Sequence, residues 1–231
     1  MFILIHGSNH SSRCWEPIVD LLGAPALAVD LPGRGRNPAP LDQVHVSDFI
    51  ESAVKDIEDA DATDAVLVGH SMAGLSLAGI VDRVHERLRH VVFLSCVVPR
   101  DGASMLSELP PELAELARSA TPTPAGVWPG KKVLAQMMCG GMNEEHTTFT
   151  LDVSVPEAFW PMHDPVDLSG LRHPVPRTWV KLLRDGAPSP EQADAYAQRT
   201  GCTKIVELDT GHFAMITHPQ ELADVLNQLD P

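Results

Sequence analysis

Positive charge is scarce in this chain. Lysine and arginine total 17 against 31 aspartates and glutamates, a net charge of −14, so a nucleic-acid backbone or an anionic lipid would be repelled unless basic residues gathered on one face. They do not gather. The closest grouping, Arg83, Arg87 and Arg89, is interrupted by Asp82 and Glu86 and reads as a solvated helix face. Long apolar runs are also missing: the longest, Val91 to Val98, is broken by Ser95 and falls far short of the ~20 residues that span a bilayer. Neither nucleic acid nor membrane is therefore an expected partner. Closely spaced cysteines are absent as well. Cys14, Cys96, Cys139 and Cys202 lie too far apart for a CxxC zinc or redox motif and read as reduced thiols. The first residues, Met1 to His6, lack the basic and apolar regions of a secretory signal. The resulting expectation is a cytoplasmic protein.

Apolar residues at 44% and charged residues at 21% argue against disorder or a fibrous repeat, and their arrangement alternates between two periods. Short apolar runs at Phe2–Ile5, Ala26–Val29, Ala65–Val68 and Val91–Leu94 are separated by segments with helical spacing. These include Trp15, Ile18, Val19 and Leu22, then Val46–Asp59, then about Met72 to His85. Apolar strands alternating with helices imply βαβ units and a parallel sheet buried on both faces. From Asp101 to about Pro174 the rhythm fails, and Pro110, Pro111, Pro122, Pro124, Pro129, Pro156, Pro161 and Pro165 punctuate short helical pieces such as Glu112–Ala117 and Lys132–Met138. Residues 101–174 thus read as a cap insertion, with 1–100 and 175–231 as the α/β core. The rhythm resumes with strands at Thr178–Leu183 and Lys204–Leu208 and helices at Pro190–Arg199 and Pro219–Leu229.

The most informative segment runs Val66-Leu67-Val68-Gly69-His70-Ser71-Met72-Ala73-Gly74. An apolar strand leads directly into a serine flanked by small residues and then a helix, the context of a nucleophile elbow, whose tight turn presents the hydroxyl above the sheet. Ala73 departs from the usual G-x-S-x-G by one methyl group. His6-Gly7-Ser8 follows the first strand, where the Ser8 amide is expected to join the Met72 amide in an oxyanion hole. Gly33-Arg34-Gly35-Arg36 is no dinucleotide loop, because Pro38 stands where the third glycine would be. Downstream, Asp185 follows the penultimate strand and His212 follows the last, giving the chain order Ser, Asp, His. Rivals exist for two of the three. Asp101 and Asp209 compete with Asp185, and His218 competes with His212. His6 and His10, spaced i, i+4, lie in a Gly-Ser loop without carboxylate or cysteine nearby, so no metal is expected.

These motifs resemble the α/β-hydrolases, and more narrowly the plant methylesterase and hydroxynitrile lyase group. The likeness extends through His10 and Trp15, the helix at Ser76-Leu77-Ala78, Val92-Phe93-Leu94 to Pro99, and Gly211-His212-Phe213-Ala214-Met215. It implies a mostly parallel sheet of about six strands, helices on both faces and a helical cap over the serine. It also implies that Ser71 attacks an ester carbonyl, His212 shuttles the proton and Asp185 orients the imidazole, with no metal or organic cofactor required. The hydroxynitrile lyases of this group carry a lysine directly after the histidine and a threonine after the first-loop histidine. This chain has Phe213 and Gly7 at those positions.

The expected substrate is a small apolar or aromatic ester, lactone or thioester, met by cap residues drawn from Met105, Trp128, Met137, Met138, Met142, Phe149, Phe159, Trp160 and Met162. Two other readings stand beside it: a lyase, cyclase or acyltransferase on the same fold, and a ligand-binding receptor. A homodimer is left open.

Overall fold

The computed structural model describes residues 1–229. Its strands are β1 (Phe2–Ile5), β2 (Ala26–Val29), β3 (Ala65–His70), β4 (Leu88–Leu94), β5 (Arg177–Leu182) and β6 (Lys204–Leu208). They form one sheet in the order β2-β1-β3-β4-β5-β6, and every pairing is parallel. The apolar runs are nearly continuous because both faces are covered. Successive side chains point to opposite faces. Ile3, Ile5, Leu67, Phe93 and Trp179 join one core, whereas Phe2, Leu4, Val68, Leu94 and Leu182 join the other.

The helices are α1 (Glu16–Val19), α2 (Val46–Asp59), α3 (Leu77–Val84), α4 (Pro111–Ser119), α5 (Lys131–Met138), α6 (Glu144–Asp152), α7 (Pro190–Arg199), α8 (Ala214–Thr217) and α9 (Pro219–Asn227). The first core takes Phe49 and Ile57 of α2, Ile80 and Val81 of α3, and Ala193 and Tyr196 of α7. The second takes Ile18 of α1, Met215 of α8, and Leu222 and Leu226 of α9. The start of α7 follows from its sequence: Pro190 occupies the first turn, and Ser189 and Gln192 cap each other reciprocally.

Strand bounds shift by one to three residues in β3, which runs on to His70, β4, which begins at Leu88, and β5, which covers Arg177–Leu182, and three helical segments differ from the sequence pattern. The helix expected from Met72 is first a 3-10 turn, Ser71–Leu75, and becomes α-helical at Leu77. Ser71, at the head of this turn, is left-handed with φ +54. The apolar spacing from Trp15 to Leu22 is realised as a 3-10 turn, Ser12–Trp15, running into the single turn of α1. α6 has little amphipathic signal and three threonines, poor helix formers. Its start is fixed instead by Asn143, whose side chain accepts the His146 N–H at 2.8 Å.

Residues 101–174 lie between β4 and β5 and add no strand to the sheet; they carry α4, α5 and α6. Strand order reverses at β1 and β3, since β2 lies outside β1 on one side and β3 lies on the other. In parallel sheets this reversal opens a crevice at the carboxyl ends of the strands. The loop after β1 and the turn after β3 both begin there.

Candidate active site

β3 delivers Ser71 into the crevice in a left-handed conformation, φ +54, which costs an L-residue roughly 1–2 kcal/mol. The tightness of the elbow explains the small residues around it. A Cβ on Gly69 would lie 2.7 Å from Leu77 Cδ1. On the other flank, a Cβ on Gly7 would lie 2.8 Å from Ser71 Cβ, so the loop after β1 touches the elbow only because residue 7 has no side chain. This contact brings the chain at Ser8 and the turn at Met72 to the same end of the sheet.

His212, in the loop between β6 and α8, has its Nε2 3.0 Å from Ser71 Oγ and its Nδ1 2.7 Å from Asp185 Oδ2. Ser71, His212 and Asp185 therefore form one hydrogen-bonded row. Asp185 also accepts the Ala187 N–H at Oδ1, 2.9 Å, and the Ser95 hydroxyl at Oδ2, 2.7 Å. Burial works against its charge, but the His212 ring, its N–H, and the Ala187 and Ser95 donors outweigh that and hold its pKa below the ordinary carboxylate value. The carboxylate is thus ionised at neutral pH. The rivals lie elsewhere: Asp101 accepts the Leu168 N–H, Asp209 pairs with Arg184 at the surface, and His218 hydrogen-bonds Thr210 Oγ1 at 2.7 Å.

His70, buried beside Ser71, donates Nε2–H to the His212 carbonyl at 2.9 Å and so ties the histidine loop to the elbow. Burial, followed by the His212 charge, pushes its pKa well below the usual histidine value. Phe213 is buried among His10, His70 and His212, with ring centroids 4.7, 5.3 and 5.0 Å away. Of the apolar residues between β4 and β5, Met138, Met142 and Phe149 pack on the same core as Phe213, and Met105 and Met162 pack on the opposite one. Trp128 and Met137 are exposed.

Four contributors carried little or no site signal in the sequence. Ser95 is one. The others, Asn9, Arg34 and Glu157, form a buried clamp between the β1 loop and residues 155–158. Glu157 pairs with the fully buried Arg34, whose guanidinium also lies over the Phe49 ring. Its other oxygen accepts the Asn9 N–H at 2.8 Å. Asn9, left-handed at φ +56, exchanges further bonds with Val155: Val155 N–H to Asn9 O at 2.8 Å, and Asn9 Nδ2–H to Val155 O at 3.1 Å. The available signals were slight, namely an arginine inside a glycine turn and one acid within the apolar stretch Val155 to Phe159. No group of three or more His, Cys, Asp or Glu among the described residues is arranged to hold a metal ion. No helix among them is long and apolar enough to cross a membrane.

The sequence matches the alpha/beta hydrolase family over residues 2–225, and the chain belongs to that family. Among curated relatives, it is 27% identical to a probable esterase, PIR7A, of Oryza sativa subsp. indica, over 97% of this chain and 94% of the relative. It is 28% identical to a carbendazim hydrolyzing esterase of Nocardioides sp. over 99% and 98%. An extracellular alpha/beta-hydrolase from a Paenibacillus species shares the fold with a TM-score of 0.88, at 21% identity over 99% of this chain and 98% of that one.

Proposed function

We propose that the protein is a serine hydrolase that cleaves a small carboxylic ester. The observation that carries this reading is the row from Ser71 Oγ through His212 to Asp185, with links of 3.0 and 2.7 Å, at the carboxyl end of β3 in a family that includes relatives named esterases. His212 Nε2 takes the Ser71 proton as Oγ adds to the ester carbonyl, and the resulting oxyanion accepts the Ser8 and Met72 amide protons. Collapse of that intermediate breaks the acyl–oxygen bond, the alcohol leaves with the proton from His212, and Ser71 is left acylated. Water, deprotonated by His212, then releases the acid and restores Ser71. Asp185, ionised and twice bridged, holds the imidazole tautomer and offsets its transient charge.

Residues 101–174 act as the cap, with Met138, Met142 and Phe149 near the Phe213 side. Their adaptable apolar surface suits a small apolar or aromatic acyl or alkyl group. The test is a panel of p-nitrophenyl and methyl esters assayed with wild type and Ser71→Ala. Turnover by the wild type, lost in a folded Ser71→Ala, is the expected result; equal turnover by both would refute the reading.

A further inference from the structure

We propose that Ser95 is a positioning residue that fixes the carboxylate of Asp185 and, through it, the His212 ring; the inference rests on the ester-hydrolase reading above. Ser95 is the first residue beyond β4 and is buried. Its N–H donates to Val180 O of β5 at 3.0 Å. Its backbone is left-handed, φ +43, a conformation that glycine adopts freely and serine does not. Glycine would therefore suit the local chain better than the residue present. What serine adds is a hydroxyl, and that hydroxyl donates to Asp185 Oδ2 at 2.7 Å.

The same oxygen accepts His212 Nδ1–H at 2.7 Å, while Oδ1 is held by the Ala187 N–H at 2.9 Å. Two donors on Oδ2 and one on Oδ1 leave the carboxylate plane a single orientation. Without the hydroxyl, one backbone donor remains besides the imidazole, and the carboxylate can rotate about its terminal bond, whose energy wells are broad. The turn also reaches the other end of the row. Cys96 Sγ–H donates to Gly69 O at 3.1 Å, and Val97 N–H donates to the Ser71 carbonyl at 3.0 Å. Residues 95–97 thus touch both the acid and the nucleophile, and set the spacing that His212 bridges.

The experiment compares Ser95→Gly with Ser95→Ala and wild type by ester kinetics, thermal unfolding, and the downfield imidazole Nδ1 proton resonance of His212. Ser95→Gly is expected to keep or raise Tm, because the strained conformation becomes permitted. Its kcat should fall roughly ten- to a hundred-fold, the range for losing one hydrogen bond to a charged group, with KM within about twofold and the resonance displaced or broadened. Ser95→Ala should lose the same activity but also lose Tm, which separates the hydroxyl from the backbone. Unchanged kcat in Ser95→Gly overturns the proposal, as does a loss of kcat with Tm falling in parallel and the resonance unmoved. If wild type shows no Ser71-dependent turnover, the ester reading fails, and the resonance alone decides for Ser95: displacement supports its role and no displacement overturns it.

Discussion

A single methyl carbon added at Gly7 would sit 2.8 Å from Ser71 Cβ and 3.1 Å from both His70 Nδ1 and the His70 carbonyl oxygen. Neither neighbour can yield cheaply, since Ser71 is already strained and His70 anchors the His212 loop. Gly7→Ala should therefore lower kcat by about two orders of magnitude, as misplacement by an ångström does elsewhere; steady-state kinetics on a Ser71-dependent ester would check this. The threonine of the resembled hydroxynitrile lyases fits still less well. At their lysine position Phe213 is buried against His10 and His70, so that position supplies neither a fixed cation nor a hydrogen-bond donor to a departing cyanide. Incubation with mandelonitrile or acetone cyanohydrin should release cyanide no faster than buffer; Ser71-dependent release would contradict this. For the acid, Asp185→Asn should lower kcat by a factor on the order of 10⁴. Asp101→Asn, which touches only the Leu168 N–H, should be mild, and the reverse ranking would reassign the acid.

Among the elements, the Asn9–Arg34–Glu157 clamp ties the loops after β1 and β2 to residues 155–158 through a buried charge pair, whose loss on one side leaves one ion stranded. Glu157→Leu should destabilise by about 3–5 kcal/mol, and Arg34→Met together with Glu157→Leu should recover much of that. Ester kcat should stay depressed in the double variant, since the Asn9 N–H still lacks its carboxylate and the loop after β1, which touches Ser71 at Gly7, is less firmly held. Urea denaturation and kinetics on the same three proteins check both halves; a double variant no more stable than the single would refute the stranded-charge argument. This clamp marks the limit of what the sequence reveals. The strands were legible because parallel strands buried on both faces read as apolar runs, and Phe2–Ile5, Ala26–Val29 and Lys204–Leu208 were bounded correctly. Ser71, His212 and Asp185 were legible because each sits just past a strand end. Ser95, Asn9, Arg34 and Glu157 act through partners distant in sequence or through left-handed backbone, and neither property has a period or a spacing. The 3-10 turn Ser71–Leu75 ahead of α3 was hidden likewise, because 3-10 and α-helical turns share nearly the same apolar spacing.

At the scale of the whole molecule, His6, His10 and His70 are buried as neutral rings around the site. His6 Nε2 accepts the Leu31 N–H at 3.3 Å while Nδ1–H donates to Gly7 O at 2.9 Å, a pairing that only the neutral ring satisfies. Burial, then the Arg34 charge, lowers the His6 pKa to about 3 against the hydrogen bond to Gly7. Burial, partly opposed by the Ser8 carbonyl, lowers that of His10 to about 4. Since the unfolded chain protonates these groups near pH 6.5 and the folded one does not, stability is full above that pH and falls as pH drops toward the folded values. His6 and His10 together give a slope on the order of 3 kcal/mol per pH unit near pH 5, and His70 acts in the same direction. The urea midpoint should thus drop steeply between pH 6.5 and 5, where ordinary carboxylates do not yet titrate; a flat profile would mean that these rings are protonated in the fold. The central claim, that Ser71 is an activated nucleophile, is tested most directly by treating the intact protein with a fluorophosphonate and locating the adduct by mass spectrometry. One stoichiometric adduct on Ser71, formed in step with loss of ester turnover and absent from Ser71→Ala and folded His212→Ala, is the expected result. Undiminished turnover after complete labelling, or no adduct on Ser71 in an enzyme that still turns over esters, would contradict it.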